Sequence, residues 1–359
     1  MSNSLTDRKT GAKFSMWPFR KIDLPSGLDK RLRLYAEKEL KFLLSKNPNS
    51  LGSVRIAPFE HSRIGKVRYM EIEGYGKLVA RMFTRKMDCH WASAFARLSE
   101  LLDSNGIRTA RVLLIDQSPR TWRQYGFSFL AEEFLDGRTL IHVPLKGPEP
   151  VVDNTADLLL QLHAIRSPTG GKPWEGQKWH PDRRDSKLVR EHLARLQRLD
   201  IGLGSQRSKA LVTWFAQQFR LCCRTSYPLV HGDFHGMNIL QLKDGSLGLI
   251  DLATVSYGFP QTDLVEAEIS IYRHNATASA RFLARYFAAA EEYKAISRED
   301  YESTRPVFVA LRHIIKAGRQ SRRITKPRGK VGPAWQNLLK KALAHWEMAE
   351  EALRSTGAP

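Results

Sequence analysis

The sequence predicts an α+β fold with two lobes, in which a small antiparallel sheet precedes a mainly helical region. Two observations carry this prediction. Residues 53–83 alternate between apolar and polar side chains, as half-buried strands do, and include a turn at 73–76. From residue 155 onward, apolar side chains recur at helical spacing over long stretches. The 359 residues suffice for two lobes, and the predicted domains are an N-terminal extension at 1–48, a first lobe at 49–134 and a second lobe at 135–359.

Composition limits the class of protein. No apolar stretch approaches the roughly 20 residues of a membrane span, and the polar first residues lack the apolar core of a secretory signal. The three cysteines, Cys89, Cys222 and Cys223, are few and odd in number, which indicates a reducing compartment. We therefore expect a cytoplasmic protein.

The predicted extension is basic and partly helical. Residues 14–21 combine aromatic side chains with cations and could contact an anionic surface at the inner membrane face, although aromatics at these spacings more often pack on a neighbouring domain. Residues 27–45 have the periodicity of an amphipathic helix. Its apolar side would consist of Leu32, Leu34, Tyr35, Leu40, Phe42 and Leu43.

The remaining elements follow from periodicity and turn residues. In the first lobe we expect strands at 54–57, 67–72 and 77–83, a helix at 91–104, and strands at 111–115 and 127–130 joined by a polar turn. In the second lobe we expect helices at 155–164, 187–220, 263–292, 299–317 and 334–354. His163 is interpreted as a packed core histidine rather than a ligand. There is no internal repeat and no specific nucleic-acid motif.

Residues 227–251 carry the most specific chemical pattern in the chain. A short apolar strand ends at His231, Asp233 and Asn238 follow in one loop, and a second apolar strand ends at Asp251. Phosphate transfer to a hydroxyl needs one carboxylate to accept the hydroxyl proton, and an Asn and a second carboxylate to hold Mg²⁺ against the ATP phosphates. We therefore assign Asp233 as the base and Asn238 and Asp251 as ligands of Mg²⁺, an ion that prefers oxygen.

Two other interpretations of this pattern stay open at this point. His231, Asp233 and His235 alternate along the chain and could form a metal cluster. However, imidazoles suit zinc better than Mg²⁺, and a cluster leaves Asn238 and Asp251 unexplained. The other alternative is a purely structural role for these polar residues, although buried carboxylates without a task are uncommon.

The pattern resembles the signature of the aminoglycoside phosphotransferase and choline kinase-like superfamily, a branch of the protein-kinase fold. The shared features are the loop His231-Gly-Asp-Phe-His-Gly-Met-Asn238, the strand ending in Ile250-Asp251, and Gly258-Phe-Pro-Gln-Thr-Asp263-Leu264. The resemblance extends from about residue 50 to the C-terminus. It implies a protein-kinase-like two-lobe fold and an enzyme that uses ATP and Mg²⁺ to phosphorylate an alcohol. His231, His235 and Asp263 would be structural residues near the site, with Asp263 holding the catalytic loop through its backbone N–H groups.

The resemblance also implies where ATP would bind. Residues 60–66 correspond to the family's nucleotide-covering loop, so Ser62 and the backbone around Gly65 are candidates. Arg81 matches the strand cation that reaches the phosphates, with Arg85 and Lys86 as alternatives. Residues 131–137 match the hinge, where the backbone of Glu133 and Leu135 would meet adenine.

One departure from the family pattern concerns the partner of the strand cation. Family members usually place a Glu on the following helix to pair with it. Here Phe95 lies near that position, and Glu100 follows about one turn later. The resemblance therefore leaves the partner of Arg81 open.

The formal charge of +20 and the pI of about 10.0 are the second informative feature. They indicate either attraction to an anion or a basic surface without a specific partner. A basic enzyme repels cations such as aminoglycosides and choline, so we expect a small-molecule, sugar or lipid-linked acceptor that is anionic. The basic residues of 172–184 and 319–330 would recruit it.

Several functions are compatible with these observations. The favoured hypothesis is an ATP-dependent phosphotransferase, with a lipopolysaccharide or envelope-glycan kinase and an aminoglycoside-type antibiotic kinase as two forms of it. A protein Ser/Thr kinase is disfavoured because the interval between Asp251 and Asp263 is short. A catalytically idle basic binding module is disfavoured because Asp233, Asn238 and Asp251 are all present. The pattern identifies neither the acceptor nor the oligomeric state.

Overall fold

The computed structural model describes residues 27–45, 47–58, 66–85, 90–142, 150–173, 181–199, 203–290, 295–324 and 333–359. The chain divides into two compact units. The first comprises Met1–Ala92 and Leu113–Glu132, and the second comprises Ser93–Val112 and Glu133–Pro359. In this division Ser93–Val112 belongs to the second unit, and the described residues 27–45, 47 and 48 belong to the first.

The first unit is built on a five-stranded sheet. Its strands are β1 (Val54–Pro58), β2 (Lys66–Ile72), β3 (Gly76–Phe83), β4 (Val112–Asp116) and β5 (Ser128–Glu133). Their spatial order is β1-β2-β3-β5-β4, and β1, β2 and β3 pair in antiparallel fashion. Arg81 lies opposite Val67 in the β2–β3 pair. The predicted antiparallel sheet of the first lobe is therefore confirmed.

The N-terminal helix of the first unit is interrupted, which changes the side it buries. Helix α1 (Leu28–Tyr35) continues through one π-helical turn (Ala36–Leu40) into α2 (Lys41–Leu44). Leu32, Tyr35 and Leu40 are buried as expected, but Phe42 and Leu43 are 63% and 50% exposed. The prediction is wrong for these two residues because a π turn contains one more residue than an α turn and rotates the residues that follow.

A second local difference lies between β4 and β5. Helix α3 (His90–Asp103) was expected, but α4 (Pro119–Tyr125) occupies a stretch expected to be a polar turn. Ser118 caps α4 by accepting the backbone N–H of Thr121 at 3.1 Å, and Gly126, with a φ of 73°, ends it. Tyr125 at its end packs edge-on against Tyr35, with ring centroids 5.2 Å apart. The helix therefore completes the core beneath α1.

The second unit is mainly helical, and it contains two small sheets. Its helices, besides most of α3, are α5 (Pro150–Ala164), α6 (Pro181–Leu196), α7 (Ser205–Leu221), α8 (Gln261–Glu266), α9 (Ala276–Ala290), α10 (Arg298–Ile324) and α11 (Pro333–Arg354). Its strands are β6 (Gly137–Thr139), β7 (Arg166–Ser167), β8 (Tyr227–Val230), β9 (Ile239–Leu242), β10 (Leu247–Leu249) and β11 (Ser256–Tyr257). The two sheets have the orders β10-β9-β6 and β11-β8-β7, and α10 packs against α6, α8 and α11.

Two further findings concern membrane spans and cysteines. Over the described ranges, no helix combines the length and the apolar character needed to cross a membrane. Cys222 and Cys223 are free thiols, and burial raises the pKa of Cys222 to about 12. The Cys222 thiol is thus protonated at neutral pH, which makes it a poor nucleophile. Cys89 lies outside the described residues.

The interrupted helix provides a stability test. Leu32→Ala should lower the free energy of unfolding by about 2–5 kcal/mol, because it opens a cavity in a fully buried site. Leu43→Ala, on the same helical segment but half-exposed, should change it by no more than about 0.5 kcal/mol. Urea unfolding followed by circular dichroism measures both. Equal losses in the two variants would contradict the assigned faces.

Candidate active site

Strand β8 leads directly into the catalytic loop, residues 231–238, and Asp263 holds the start of that loop. The backbone N–H groups of His231 and Gly232 donate to the two carboxylate oxygens of Asp263, at 2.6 and 2.8 Å. Gly232 has a φ of +74°, and a Cβ there would lie 3.1 Å from the carbonyl oxygen of Thr254. The turn therefore requires glycine, and its position is fixed by the carboxylate that the resemblance assigns to this task.

Two side chains of the helical core support Asp263 in turn. His163 Nε2 lies 3.4 Å from Asp263 Oδ2, and the Tyr286 hydroxyl lies 2.7 Å from His163 Nδ1. Burial and the charge of Asp263 raise the pKa of Tyr286, so its hydroxyl stays protonated. Both ring nitrogens of His163 therefore have a polar partner in the core. The predicted core histidine is buried, and it also supports the catalytic loop.

Asp233 lies in this loop with its side chain almost fully buried among cations. Arg312 Nη2 on α10 donates to Oδ1 at 3.0 Å, and Arg319 Nη1 lies 3.6 Å from the same oxygen. His235 Nε2 lies 3.6 Å from Oδ2. Oδ1 is thus held by arginines of α10, while Oδ2 lies near His235 of the same loop.

The β9–β10 hairpin joins Asn238 to the strand end that carries Asp251. Ile239 pairs with Leu249 in the antiparallel register, and the next hydrogen bond runs from the N–H of Ile250 to the carbonyl oxygen of Asn238, at 3.0 Å. Among the described residues, Asp251 alone has a positive φ, 56°, without being glycine. A left-handed aspartate costs backbone strain, which functional sites often tolerate.

The oxygen atoms at this end of the hairpin suit Mg²⁺. Asn238 Nδ2 donates to the carbonyl oxygen of Asp233 at 2.9 Å, so the amide oxygen remains as a ligand. Asp251 adds a carboxylate, and Mg²⁺ needs few protein oxygens when phosphates and water complete its octahedron. The residues present therefore fit this ion.

The alternative metal cluster finds no support. His231 Nε2 lies 3.1 Å from the carbonyl oxygen of Ile250, so this ring nitrogen has a backbone partner. Within the part of the chain that the structure describes, no group of three or more His, Cys, Asp or Glu residues is arranged to hold a metal. A zinc cluster of His231, Asp233 and His235 is therefore disfavoured by geometry as well as by ligand type.

Two cations of the predicted basic segment 172–184 hold the residues that follow Asp251. Lys172 Nζ donates to the carbonyl oxygens of Ala253 and Val255, at 3.0 and 2.8 Å. Arg184 Nη1, on α6, donates to Ser256 Oγ at 2.5 Å. These contacts give both cations a structural role, and capture of the acceptor by this segment stays a prediction. Residues 174–180 of this segment, and 325–330 of the second basic segment, lie outside the described residues.

The sequence did not predict a role for Glu266, Arg312 or Lys316, which form one network of ion pairs with Asp233. Arg312 donates to both Glu266 and Asp233, and Lys316 Nζ lies 3.2 Å from Glu266 Oε1. Burial alone would raise the pKa of Glu266, but the charges of Arg312 and Lys316 lower it, so the carboxylate stays ionised. Arg312, Lys316 and Arg319 have the spacing of one helical face, which sequence analysis can detect. Their acidic partners cannot be read from that spacing.

In the first unit, the predicted phosphate-binding cation Arg81 is buried on β3. Its Nη2 lies 3.3 Å from Oε2 of Glu132 on the neighbouring strand β5. Phe95, near the family's usual position for the acidic partner, is a buried apolar residue, and Glu100 is exposed. A strand therefore supplies the carboxylate that the family pattern places on a helix.

The predicted hinge residue Glu133 is held by contacts with residues 108 and 111. The backbone N–H of Glu133 donates to the carbonyl oxygen of Arg111 at 2.8 Å, and its carboxylate pairs with Arg108 and Arg111. The N–H of Glu133 is thus already paired, and contact of adenine with the backbone of Glu133 and Leu135 stays a prediction. The other predicted nucleotide residues, Ser62 and Gly65, lie outside the described residues.

Comparison with known proteins gives one family match and several structural matches. A sequence model of the Phosphotransferase enzyme family matches residues 55–307. No curated protein matches the chain by sequence. A thermostable mutant of aminoglycoside phosphotransferase APH(4)-Ia, in a ternary complex with ADP and hygromycin B, is 14% identical, with a TM-score of 0.62 over 90% of this chain and 100% of that one.

Choline kinase LicA from Streptococcus pneumoniae is a second structural match. It is 14% identical, with a TM-score of 0.58 over 88% of this chain and 99% of that one. LicA in complex with AMP is 12% identical, with a TM-score of 0.54 over the same shares. At such identities the likeness establishes the fold, and the protein-kinase-like architecture expected from the sequence is confirmed.

The Arg81–Glu132 pair generates a prediction about nucleotide binding. Arg81→Met should weaken ATP binding or lower kcat, but it also leaves Glu132 buried without its partner, which costs about 3–5 kcal/mol of stability. The double variant Arg81→Met/Glu132→Gln should recover much of that stability and still bind ATP weakly. Calorimetric titration with Mg²⁺·ATP measures the affinity, and Lys77→Met, at an exposed position of the same strand, is the control. Wild-type affinity in the double variant would assign the role to another cation.

Proposed function

Because this chain belongs to the phosphotransferase enzyme family, we propose that it transfers the γ-phosphate of ATP to a hydroxyl group of a small-molecule acceptor. The observation that carries the proposal is the geometry of the catalytic loop. Asp263 accepts two backbone N–H groups at the start of this loop, and Asn238 connects Asp233 to the strand end at Asp251. A carboxylate base with two oxygen ligands for Mg²⁺ is what phosphoryl transfer requires. Relatives solved with ADP or AMP support a nucleotide donor.

In the proposed reaction, the acceptor hydroxyl oxygen attacks the γ-phosphorus in line with the leaving group. As this bond forms, the bond from the γ-phosphorus to the β–γ bridging oxygen breaks, and its electron pair leaves with ADP. Asp233 accepts the hydroxyl proton at Oδ2, the oxygen that Arg312 does not hold. The proton then passes to solvent, so ATP and an alcohol yield ADP, a phosphate monoester and a proton.

Asn238 and Asp251 would hold Mg²⁺, which when bound neutralises negative charge on the phosphate oxygens. The chain's own residues fix these two ligands in place. Asp263 binds the backbone at the start of the loop that carries Asn238. Lys172 donates to the carbonyl groups of Ala253 and Val255, which follow Asp251. Arg81, oriented by Glu132, would bind the phosphates directly through its guanidinium group.

The acceptor of this reaction is proposed to be anionic. The formal charge of +20 favours capture of anions. Hygromycin B and choline, which the relatives' names record, are cations that such a charge repels. Arg319 contacts Asp233 yet its side chain is 36% exposed, and Arg322 on the next turn of the helix is exposed. An anionic group on the acceptor could therefore be bound beside the base. An acidic sugar or a lipid-linked glycan has this chemistry.

A protein acceptor is disfavoured by the segment between Asp251 and α8. This segment consists of a 3₁₀ turn (Leu252–Thr254), β11 and a short connection. It is bonded along its length by Lys172, Arg184 and the backbone of Gly171. Such a short, fixed segment offers little surface for docking a polypeptide next to the base.

The roles of the base and the metal ligand lead to a direct test. Asp233→Asn should fold normally and lose at least roughly 100-fold in kcat, because it removes the proton acceptor. Asp251→Ala should abolish Mg²⁺-dependent ATP binding in calorimetric titration. Asp300→Asn, which removes an exposed carboxylate paired with Arg224, is the control and should leave both quantities unchanged. Normal turnover and binding in the first two variants would refute the phosphotransferase proposal.

The proposed anionic acceptor has a salt-dependent signature. Once acceptor pools screened with γ-labelled ATP yield a substrate, its KM should rise with salt, because the Debye length falls from about 10 Å at 0.1 M to about 3 Å at 1 M. Arg319→Gln/Arg322→Gln should raise that KM more than Lys340→Gln/Lys341→Gln, which removes the same charge from α11. Efficient, salt-insensitive phosphorylation of an aminoglycoside would instead establish an antibiotic kinase.

A further inference from the structure

Helix α10 places a buried guanidinium between the predicted base and a second acid. Arg312 donates through Nη2 to Asp233 Oδ1 at 3.0 Å and through Nε to Glu266, and its Nη1 lies 3.3 Å from the carbonyl oxygen of Gly232. The side chains of Arg312, Asp233 and Glu266 are 3%, 4% and 2% exposed. One side chain of α10 thus joins the catalytic loop to α8.

We infer that Arg312 is a positioning residue for Asp233, an inference that rests on the proposed function. A carboxylate has two equivalent oxygens and rotates freely unless one is held. The guanidinium holds Oδ1 toward α10, so Oδ2 is the oxygen presented to the acceptor hydroxyl. The contact from Arg312 to the backbone of Gly232 adds a second hold on the same loop.

The surrounding charges explain why this arrangement is stable. Arg312 and Lys316 pair with Asp233 and Glu266, and the partly exposed Arg319 adds a further positive charge beside Asp233, so these cations offset the negative charge of both acids. Burial alone would lower the pKa of Arg312, but Glu266 and Asp233 raise it, so the guanidinium stays charged. Lysine cannot replace it fully, because one ammonium group does not offer the planar fork that reaches two carboxylates.

A purely structural ion pair is the competing explanation, and the same helix provides its control. Arg305, about two turns before Arg312, donates to Glu268 at 2.9 Å, and Tyr301 donates to the same carboxylate. Glu268 is also nearly buried, with a side chain 10% exposed. Both arginines thus pair with an acid of a neighbouring segment, although the Arg305 side chain is 43% exposed and that of Arg312 only 3%. Of the two, Arg312 contacts Asp233 and Gly232 of the catalytic loop.

The experiment compares Arg312→Gln and Arg312→Lys with Arg305→Gln and Arg305→Lys in the full chain. Turnover is measured as hydrolysis of Mg²⁺·ATP, with water as acceptor, and Mg²⁺·ATP affinity by calorimetry. Arg312→Gln should lower kcat by about 10- to 100-fold, since misplacement of a reacting group by about 1 Å has that effect. Its ATP affinity should stay within about threefold, and Arg312→Lys should have an intermediate kcat. The Arg305 variants should lose stability and keep kcat.

A double-mutant cycle separates positioning from a general loss of structure. If Arg312 acts through Asp233, Arg312→Gln should lower kcat in the wild-type background and leave the remaining rate of Asp233→Asn unchanged. If Arg312→Gln does not fold, Arg312→Lys replaces it in the cycle, with Arg305→Lys as control. Additive losses, or equal losses in the Arg305 and Arg312 variants, would overturn the inference alone. Absence of both hydrolysis and phosphate transfer in the wild-type protein would overturn the proposed function and this inference with it.

Discussion

The carboxylate of Asp263 accepts two backbone N–H groups at the start of the catalytic loop, and the rest of the site depends on this contact. It fixes the main chain at His231 and Gly232, which sets the direction of the residues that follow. Glu266 lies one helical turn further along α8 and holds Arg312, which holds the side chain of Asp233. One short helix therefore controls both the backbone and the side-chain orientation of the predicted base.

Burying the carboxylates of Asp263 and Glu266 costs free energy, and polar contacts in the core offset this cost. An ionised carboxylate loses its hydration when it is buried, so it must receive hydrogen bonds or charge in return. Asp263 receives them from two backbone groups and from His163, and Glu266 receives them from Arg312 and Lys316. The formal charge of the chain thus includes cations that serve buried acids rather than the surface.

Local sequence patterns predicted the features that depend on near neighbours. The strands of the first unit and the motif around Asp233 follow from alternation and from residues within one loop. Helix α4 was not predicted, because a two-turn helix leaves little periodicity, although Ser118 and Gly126 are residues typical of helix ends. The π turn after Tyr35 could not be predicted, because nothing in the residue spacing distinguishes it from a continuous helix.

Partners distant in sequence were the part that could not be predicted. Glu132 lies 51 residues from Arg81, and Arg312 lies 79 residues from Asp233. Such pairs are set by which strands and helices become neighbours, which spacing within one element does not reveal. The same reason applies to Lys172. Its charge suggested a role in recruiting the acceptor, and the structure shows it bound to two carbonyl groups that lie 81 and 83 residues away in sequence.

Helix α10 extends beyond the residues that the family model matches, and this extension carries cations that contact Asp233 and Glu266. The family match ends at residue 307, in the middle of a helix that runs from Arg298 to Ile324. Among the described residues, the cations paired with Asp233 and Glu266 are Arg312, Lys316 and Arg319, which lie beyond that point. A chain cut where the family match stops would retain both acids and lose these counter-charges. Truncation at that limit would therefore spare every signature residue and still remove the charges that compensate two buried carboxylates.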